Sequence, residues 1–223
     1  MCNPHNPVGR VYTEAELRAM AERCAAFDMT IFSDEIHADL TLDQEQPHIP
    51  VASLSDDIAQ RTITMMSSSK TFNLAADACS FAIIPNEQLR EQFQRSLIHG
   101  SQPSASAFAA AQAAFTEGHL WHNELKLYLK KNRDLVESFG EQSSMRVHPV
   151  QGTYMAWLDA SATGIPTIHQ HLLDNGVQLD DGGPYLNQSD GLGYLRLNFA
   201  LPREQLVIGL NRMTAALNQL SAA

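Results

Sequence analysis

Several features are scarce in this 223-residue sequence. Its three cysteines, Cys2, Cys24 and Cys79, are scattered, which provides no metal or redox spacing and fits a reducing compartment. Lysine and arginine total 15 against 25 acidic residues, and the net charge of −10 without a basic cluster argues against nucleic acid or an anionic membrane as a partner. No apolar run is long enough to span a membrane, and no signal-peptide pattern opens the chain. A soluble, cytoplasmic protein is predicted.

The first half of the sequence alternates between helical and strand patterns. A Thr-x-x-Glu capping box at residues 13–16 predicts the start of a helix, and apolar runs at Met29–Phe32, Thr62–Met66 and Ser80–Ile84 predict strands. This alternation favours an α/β fold with a buried, mostly parallel sheet and helices on both faces. In such sheets, ligands bind beyond the carboxyl ends of the strands.

The pattern changes in the second half, where long helices precede short, separated strands. Helices are predicted at 104–115, at Leu120–Phe139, at Pro166–Asn175 and after Pro202, and strands at Met145–His148, Gly152–Leu158 and Tyr194–Phe199. We place the boundary between residues 115 and 116. Residues 1–115 then form an α/β domain, and residues 116–223 form a connecting long helix and a small α+β domain.

A single lysine follows the second predicted strand, in the stretch 67–75, SSSKTFNLA. Partial burial at a strand end favours the neutral form of an amine, which attacks carbonyl groups, so Lys70 is a candidate for covalent catalysis. Ser67 and Ser69 have hydroxyl groups that can donate to a phosphate. The alternative is an ordinary lysine at the rim of a sheet.

Three other stretches carry polar groups in constrained positions. The double Asn-Pro turn at 3–10, NPHNPVGR, can present fixed asparagine side chains, and Asp34 directly follows a predicted strand. Arg196 lies in a strictly alternating strand whose leucines face the other way, so it can clamp a carboxylate with two parallel hydrogen bonds. The alternatives are a solvated acid for Asp34 and a surface salt bridge for Arg196.

Four motifs in a fixed order link these stretches: NPHNPVGR, then SDEIHADL, SSSKTFNLA and GYLRLNFA. With them the chain resembles the class I/II aminotransferase superfamily of pyridoxal-phosphate enzymes, the fold type I group, and most of all its cystathionine β-lyase-like C–S lyase branch. The resemblance implies the C-terminal part of a fold type I large domain, so that 1–115 is a partial cofactor-binding domain. Family members carry a long segment before the Asn-Pro turn, and an N-terminally truncated chain is therefore expected.

The resemblance implies a role for each of four residues. Lys70 binds the cofactor pyridoxal 5′-phosphate covalently and then acts as the base that removes the substrate α-proton. Asp34 keeps the pyridine nitrogen protonated. Asn6 donates to the phenolic oxygen of the cofactor. His37, where many relatives have tyrosine, either donates there too or has a packing role.

The remaining implied roles concern anionic groups. Ser67 and Ser69 are the expected phosphate ligands, with Ser67 the better match, and Arg196 is expected to bind the substrate α-carboxylate. Relatives often have a phosphate-binding arginine eight positions after the lysine. This sequence has Ala78 there and an acidic neighbour in Asp77, so either the local turn differs from that of the relatives or phosphate binding is weakened.

For function, the resemblance implies α,β-elimination of cystathionine or cysteine conjugates to a thiol, pyruvate and ammonia. The alternatives are an aminotransferase, or a fragment that binds cofactor weakly and turns over little without its missing half. A small amino-acid substrate and, in the full-length form, a homodimer are implied. We expect no metal site, because His119 and His122, three residues apart on a predicted helix, lack an obvious third ligand, and His169 and His171 point to different sides of their predicted helix.

Overall fold

A computed structural model describes residues 1–43, 45–77, 79–97, 102–165, 167–186 and 193–219. The chain forms two compact units, the first made of Met1–His5 and Val11–Leu125 and the second of Asn6–Arg10 and Lys126–Ala223. Each unit contains helices and a sheet, as the predicted α/β class requires. The predicted boundary between residues 115 and 116 remains a prediction. None of the helices in the described ranges combines the length and the apolar character needed to cross a membrane.

Among its described residues, the first unit contains a three-stranded sheet, five complete α-helices and the beginning of a sixth. Its helices are α1 (Glu14–Ala26), α2 (Asp56–Gln60), α3 (Ser68–Thr71), α4 (Glu87–Ser96) and α5 (Ala105–Glu117), and its strands are β1 (Ile31–Asp34), β2 (Thr62–Ser67) and β3 (Ser80–Ile83). β1 and β2 are parallel, with Asp34 opposite Met65, while β3 runs antiparallel to β2. The carboxyl ends of β1 and β2 therefore lie at the same edge of the sheet.

The predicted capping box begins α1. The Thr13 hydroxyl accepts a hydrogen bond from the Glu16 amide, and the Glu16 carboxylate accepts one from the Thr13 amide at 2.9 Å. β1 begins two residues later than predicted, at Ile31, because the preceding residues form the turn out of α1. Asp28 adopts a φ of +48°, and the Met29 amide donates to the Cys24 carbonyl oxygen. Ile31 is the strand residue that packs in the core below α1.

A buried polar network holds the segment that follows β1. The Glu35 side chain is only 2% exposed, and its Oε1 accepts hydrogen bonds from Ser33 Oγ at 2.9 Å and from the Val51 amide at 3.1 Å. Its Oε2 lies 2.8 Å from His48 Nε2, and His48 Nδ1 lies 3.4 Å from the Asn3 side-chain nitrogen. An amide nitrogen can only donate, so both histidine contacts are satisfied when the proton is on Nε2. We refer to these residues as the Glu35 network.

The second unit is built on a four-stranded antiparallel sheet with the order β4-β5-β7-β6. The strands are β4 (Arg146–Val147), β5 (Met155–Asp159), β6 (Asp180–Asp181) and β7 (Tyr194–Asn198). The helices are α7 (Ile168–Asp174), α8 (Arg203–Asn218) and the C-terminal part of α6, a helix that spans His119–Gln142. Pro166, the predicted first residue of α7, lies outside the described residues.

Interior contacts in the second unit join its sheet to its helices. α8 buries Leu206, Leu210, Met213 and Leu217, the stripe that the sequence predicts. On α6, the fully buried Asn132 donates through Nδ2 to the Phe199 and Leu201 carbonyl oxygens, both at 2.9 Å. A buried side-chain amide satisfied in this way fixes the chain that leaves β7.

Gly9→Ala is expected to destabilise the protein more than Gly164→Ala. Both glycines have positive φ angles, +77° and +69°, so alanine at either position brings backbone strain of about 1 kcal/mol. At Gly9 an added Cβ would also lie 2.9 Å from Val150 Cγ1 and 3.2 Å from the Met155 carbonyl oxygen, whereas nothing lies within 4 Å at Gly164. Overpacking of this kind adds about 1–3 kcal/mol.

Urea denaturation of both variants, followed by circular dichroism, measures this difference. Gly164→Ala serves as the matched control, because it carries the strain without the clash. Equal losses of stability in the two variants would contradict the expected clash at Gly9.

Candidate active site

The parallel pairing of β1 and β2 brings two predicted site residues to one edge of the sheet. Asp34 ends β1 opposite Met65, and Ser67 ends β2 two residues further on. Because side chains alternate along a strand, Ser67 and Asp34 project from the same face. The Asp34 carboxylate accepts one hydrogen bond through Oδ1, from the Ile36 amide at 3.2 Å. Among the described residues, no hydrogen bond reaches its other oxygen.

Lys70 lies on the short helix α3, which starts immediately after β2. Ser67 is the N-cap of this helix, and its Oγ accepts a hydrogen bond from the Ser69 amide at 3.1 Å. Lys70 itself is partly exposed and, within the described part of the chain, makes no hydrogen bond or ion pair. A lysine without a partner on an anchored turn has an amine that is available for covalent chemistry.

Aromatic packing holds the other end of α3. Phe72, which follows the helix, makes an edge-to-face contact with Phe115 at 5.6 Å between ring centroids and stacks on Trp121 at 5.8 Å. The Thr71 hydroxyl donates to Asp39 Oδ2 at 3.4 Å. The backbone on both sides of Lys70 is therefore fixed by the fold.

The two serines predicted to bind phosphate have different surroundings. The Ser67 hydroxyl donates to the Cys79 carbonyl oxygen at 2.7 Å, so it can turn to a phosphate only by giving up that acceptor. The Ser69 hydroxyl makes no hydrogen bond with any described residue. Ala78, at the position where relatives often have arginine, lies outside the described residues. Both serine roles remain predictions, and the geometry favours Ser69.

His37 is 2% exposed and lies at the start of a short 3-10 turn, where its carbonyl oxygen accepts a hydrogen bond from the Leu40 amide. This burial favours the packing role that the sequence left open, and the donor role remains a prediction. In the same turn, the carbonyl oxygen of Asp39 lies 2.6 Å from His122 Nε2. His122 therefore has a structural contact rather than a position in a pair of metal ligands with His119.

The second unit brings Asn6 and Arg196 together. Arg196 points away from the buried Leu195 and Leu197, as the alternation predicts, and its Nη1 donates to Asn6 Oδ1 at 3.1 Å. Its Nε donates to Asp180 Oδ2 at 2.9 Å, and its Nη2 donates to the same oxygen. An ion pair, the alternative left open by the sequence, is thus present. It joins a guanidinium that is 17% exposed to an acid that is 55% exposed.

Aromatic rings surround this guanidinium. The Arg196 Cζ lies 4.8 Å from the centroid of the Tyr185 ring, and Trp157 meets that ring edge-on at 5.8 Å. Burial raises the pKa of the Tyr154 phenol, and the nearby Arg196 charge only partly offsets this effect. Tyr154 therefore stays neutral across the physiological pH range. Arg196 is among the residues that line a cavity of about 570 Å³.

Sequence reasoning missed the two neighbours that define the Arg196 environment, Asp180 and Tyr185. β6 has only two residues, which is too short for an alternating pattern to reveal, and its register opposite Arg196 appears only in the folded chain. The sequence feature that could have indicated an acidic partner for Arg196 is the pair Asp180 and Asp181, just before Gly182.

In the described ranges, no three His, Cys, Asp or Glu side chains are placed to hold a metal ion. The ring Nε2 atoms of His169 and His171 instead lie 3.0 Å from the Leu179 and Ala216 carbonyl oxygens, respectively.

Comparisons with known proteins agree with the fold and the motifs. The profile of the family described as "Aminotransferase class I and II" matches residues 1–213. The cystathionine beta-lyase PatB of Bacillus subtilis is 38% identical over 98% of this chain and 57% of its own length. The chain thus spans little more than half the length of this relative.

Solved structures give the same result. The crystal structure of OvoB superposes with a TM-score of 0.93 at 39% identity, covering 97% of this chain and 57% of that one. Cystalysin from Treponema denticola, whose structure contains pyridoxal 5′-phosphate, superposes with a TM-score of 0.91 at 30% identity, covering 98% and 57%. These matches confirm the predicted fold class. With the profile spanning nearly all of its residues, the chain belongs to the class I and II aminotransferase family.

Proposed function

We propose that this chain binds pyridoxal 5′-phosphate and acts in α,β-elimination as a carbon–sulfur β-lyase on amino acids that carry sulfur at Cβ. The observation that supports this most directly is Lys70, a lysine without a described partner, placed after β2 at the sheet edge that also bears Asp34. The name of the Bacillus subtilis relative, a cystathionine beta-lyase, and the cofactor in the cystalysin structure support the choice of reaction and cofactor.

The residues in the first unit suit this cofactor chemically. Lys70 offers an amine for its aldehyde, Asp34 offers a carboxylate oxygen for a protonated pyridine nitrogen, and Ser69 offers an unused hydroxyl for its phosphate. An amine, an acid and a donor on adjoining segments of one sheet edge are the three kinds of group that such a molecule requires.

Each residue then has a defined task in the reaction. The cofactor, when bound, supplies an electron-poor ring that accepts the electron pair released at the substrate Cα. Lys70 would hold the cofactor through its amine and, with a substrate bound, would take the Cα proton on Nζ. Asp34 holds the proton on the pyridine nitrogen, and Asn6 donates to the phenolic oxygen.

Arg196 binds the substrate α-carboxylate. The guanidinium is mostly buried, and Asn6 and Asp180 orient it, so the charge that meets the substrate is fixed in direction. The C–S bond at Cβ breaks and the sulfur leaves as a thiol. Addition of water to the remaining fragment gives pyruvate and ammonia, so that cystathionine and one water yield homocysteine, pyruvate and ammonia.

Product analysis tests the reaction type. We expect the protein, supplied with pyridoxal 5′-phosphate and L-cystathionine, to release thiol and pyruvate in equal amounts without any added keto acid. An aminotransferase would instead form a keto acid only when an acceptor is added, and would release no thiol. That second result would overturn the lyase proposal while leaving the cofactor assignment in place.

We also propose a homodimer for the full-length form, cytoplasmic location, and the domain division at residues 115 and 116. The net charge of −10 and the scattered cysteines support location in a reducing aqueous compartment. Size-exclusion chromatography with light scattering tests the oligomeric state, and a monomeric mass for the full-length form would contradict it.

A further inference from the structure

We propose that Asp180 is a positioning residue that sets the affinity and the direction from which Arg196 binds a carboxylate. This inference rests on the proposed role of Arg196 as the site of the substrate carboxylate. It arises from the pairing of β6 with β7, which places Asp180 opposite Arg196 so that both side chains lie on one face of the sheet.

Asp180 occupies one edge of the guanidinium. A guanidinium has five N–H donors, and Asp180 Oδ2 takes the Nε hydrogen and one Nη2 hydrogen, while Asn6 takes one Nη1 hydrogen. Within the described part of the chain, one hydrogen therefore remains on each terminal nitrogen. A carboxylate that approaches the two terminal nitrogens can accept one hydrogen from each. Asp180 thus blocks the side of the guanidinium that carries Nε. A ligand can still approach the end that carries the two terminal nitrogens.

The surroundings hold the guanidinium plane in this orientation. The Tyr185 ring lies below it at 4.8 Å from Cζ, and the Trp157 ring supports Tyr185. Arg196 is 17% exposed, so it has little freedom to rotate away. Asp180 contributes a charge to these surroundings, whereas Tyr185 and Trp157 contribute aromatic rings. Its removal therefore changes the charge beside Arg196 and leaves the aromatic support in place.

Asp180 also brings a negative charge close to the position of an incoming anion. Its carboxylate is 55% exposed, so water weakens the repulsion without abolishing it. The residue has two separable effects, since its oxygens orient Arg196 and its charge lowers the attraction that Arg196 exerts. An asparagine at this position keeps an oxygen for the two guanidinium hydrogens and removes the charge.

Carboxylate binding separates these effects. The probe is propionate, which has no amino group and cannot react with the cofactor, and the readout is the Arg196 Nε–H signal in ¹⁵N NMR spectra, assigned by its loss in Arg196→Lys. We expect Asp180→Asn to bind propionate about 3- to 10-fold more tightly than the unaltered protein. We expect Asp180→Ala to bind less tightly than Asp180→Asn, with a shifted or broadened Arg196 signal, because alanine no longer orients the guanidinium.

Asp181→Asn is the matched control. It removes the same charge from the adjacent residue of β6, whose side chain points to the other face and accepts a hydrogen bond from the Gly183 amide. Its propionate affinity should equal that of the unaltered protein. The inference is overturned if Asp180→Asn binds no more tightly than Asp181→Asn, or if asparagine and alanine at position 180 behave alike.

The outcomes also distinguish this inference from the proposed function. A response of the Arg196 signal to propionate that has the same affinity in Asp180→Asn as in the unaltered protein keeps the carboxylate site and rejects the role of Asp180. The absence of any response of the Arg196 signal to propionate, in every variant, rejects both. Cofactor attachment at Lys70 is measured separately and is unaffected by either result.

Discussion

A protein carrying Lys70→Ala is expected to retain no covalently bound pyridoxal 5′-phosphate and to lose lyase activity by roughly 10²- to 10⁴-fold. The reason is that, in our proposal, the same amine both attaches the cofactor and takes the Cα proton. The sequence favours a clean measurement, because it has only four lysines, and the other three, Lys126, Lys130 and Lys131, lie on α6. Borohydride reduction followed by peptide mapping should place the cofactor mass on Lys70.

Lys131→Ala is the control for this experiment. Lys131 is exposed, so its loss should remove only non-specific labelling by excess cofactor. Full visible absorption of bound cofactor in Lys70→Ala, or stoichiometric labelling of an α6 lysine instead of Lys70, would contradict the assignment of the attachment site.

Glu35→Ala is expected to lower the free energy of unfolding by about 3–5 kcal/mol, a large part of the stability of a typical domain. Truncation removes the acceptor of Ser33 Oγ, of the Val51 amide and of His48 Nε2, and it leaves a cavity at a position that is 2% exposed. Buried donors left without partners make this loss larger than the net value of the bonds themselves. Urea denaturation followed by circular dichroism measures it.

Glu35→Gln tests the same network with nearly the same volume. Its oxygen can still accept from Ser33 and Val51, but its NH₂ group would face His48 Nε2. His48 would then have to move its proton to Nδ1, against the Asn3 amide, whose oxygen is fixed by the Tyr12 amide at 3.0 Å. We expect a loss of about 1–3 kcal/mol. A loss as large as that of alanine would show that the charge, rather than the set of acceptors, holds the segment.

The network also bears on the candidate site, because Glu35 directly follows Asp34. The Glu35 amide donates to the Met65 carbonyl oxygen, which continues the pairing of β1 with β2 beyond Asp34. The carboxylate that faces the cofactor in our proposal therefore belongs to the residue just before a peptide that is hydrogen-bonded to β2.

Local chemistry in the sequence was sufficient to predict many elements of the fold. The capping box of α1 and the buried stripe of α8 both rest on interactions within a few residues, and both are confirmed. The predicted start of β1 was wrong by two residues. Met29 and Thr30 belong to the turn at Asp28, although one is apolar and the other β-branched. The antiparallel direction of β3 depends on chain reversal between distant segments, which no local pattern encodes.

For the site, the sequence identified groups by chemical type, and the structure added their partners. The alternation around Arg196 predicted which way it points, but its partner Asp180 depends on the register of a two-residue strand. The hydroxyl of Ser67 suggested a phosphate ligand, but its bond to the Cys79 carbonyl oxygen depends on how β2 pairs with β3. Long-range pairing of short strands was the information that the sequence did not contain.

The two tryptophans of the chain fall one in each compact unit, Trp121 in the first and Trp157 in the second. Trp121 is 49% exposed and Trp157 only 5% exposed, so their fluorescence emission should differ in wavelength. Single-tryptophan variants would therefore report separately on the melting of each half of the molecule. The indole of Trp157, in contact with Tyr185 beneath Arg196, would in addition act as an intrinsic optical sensor of anions arriving at that guanidinium.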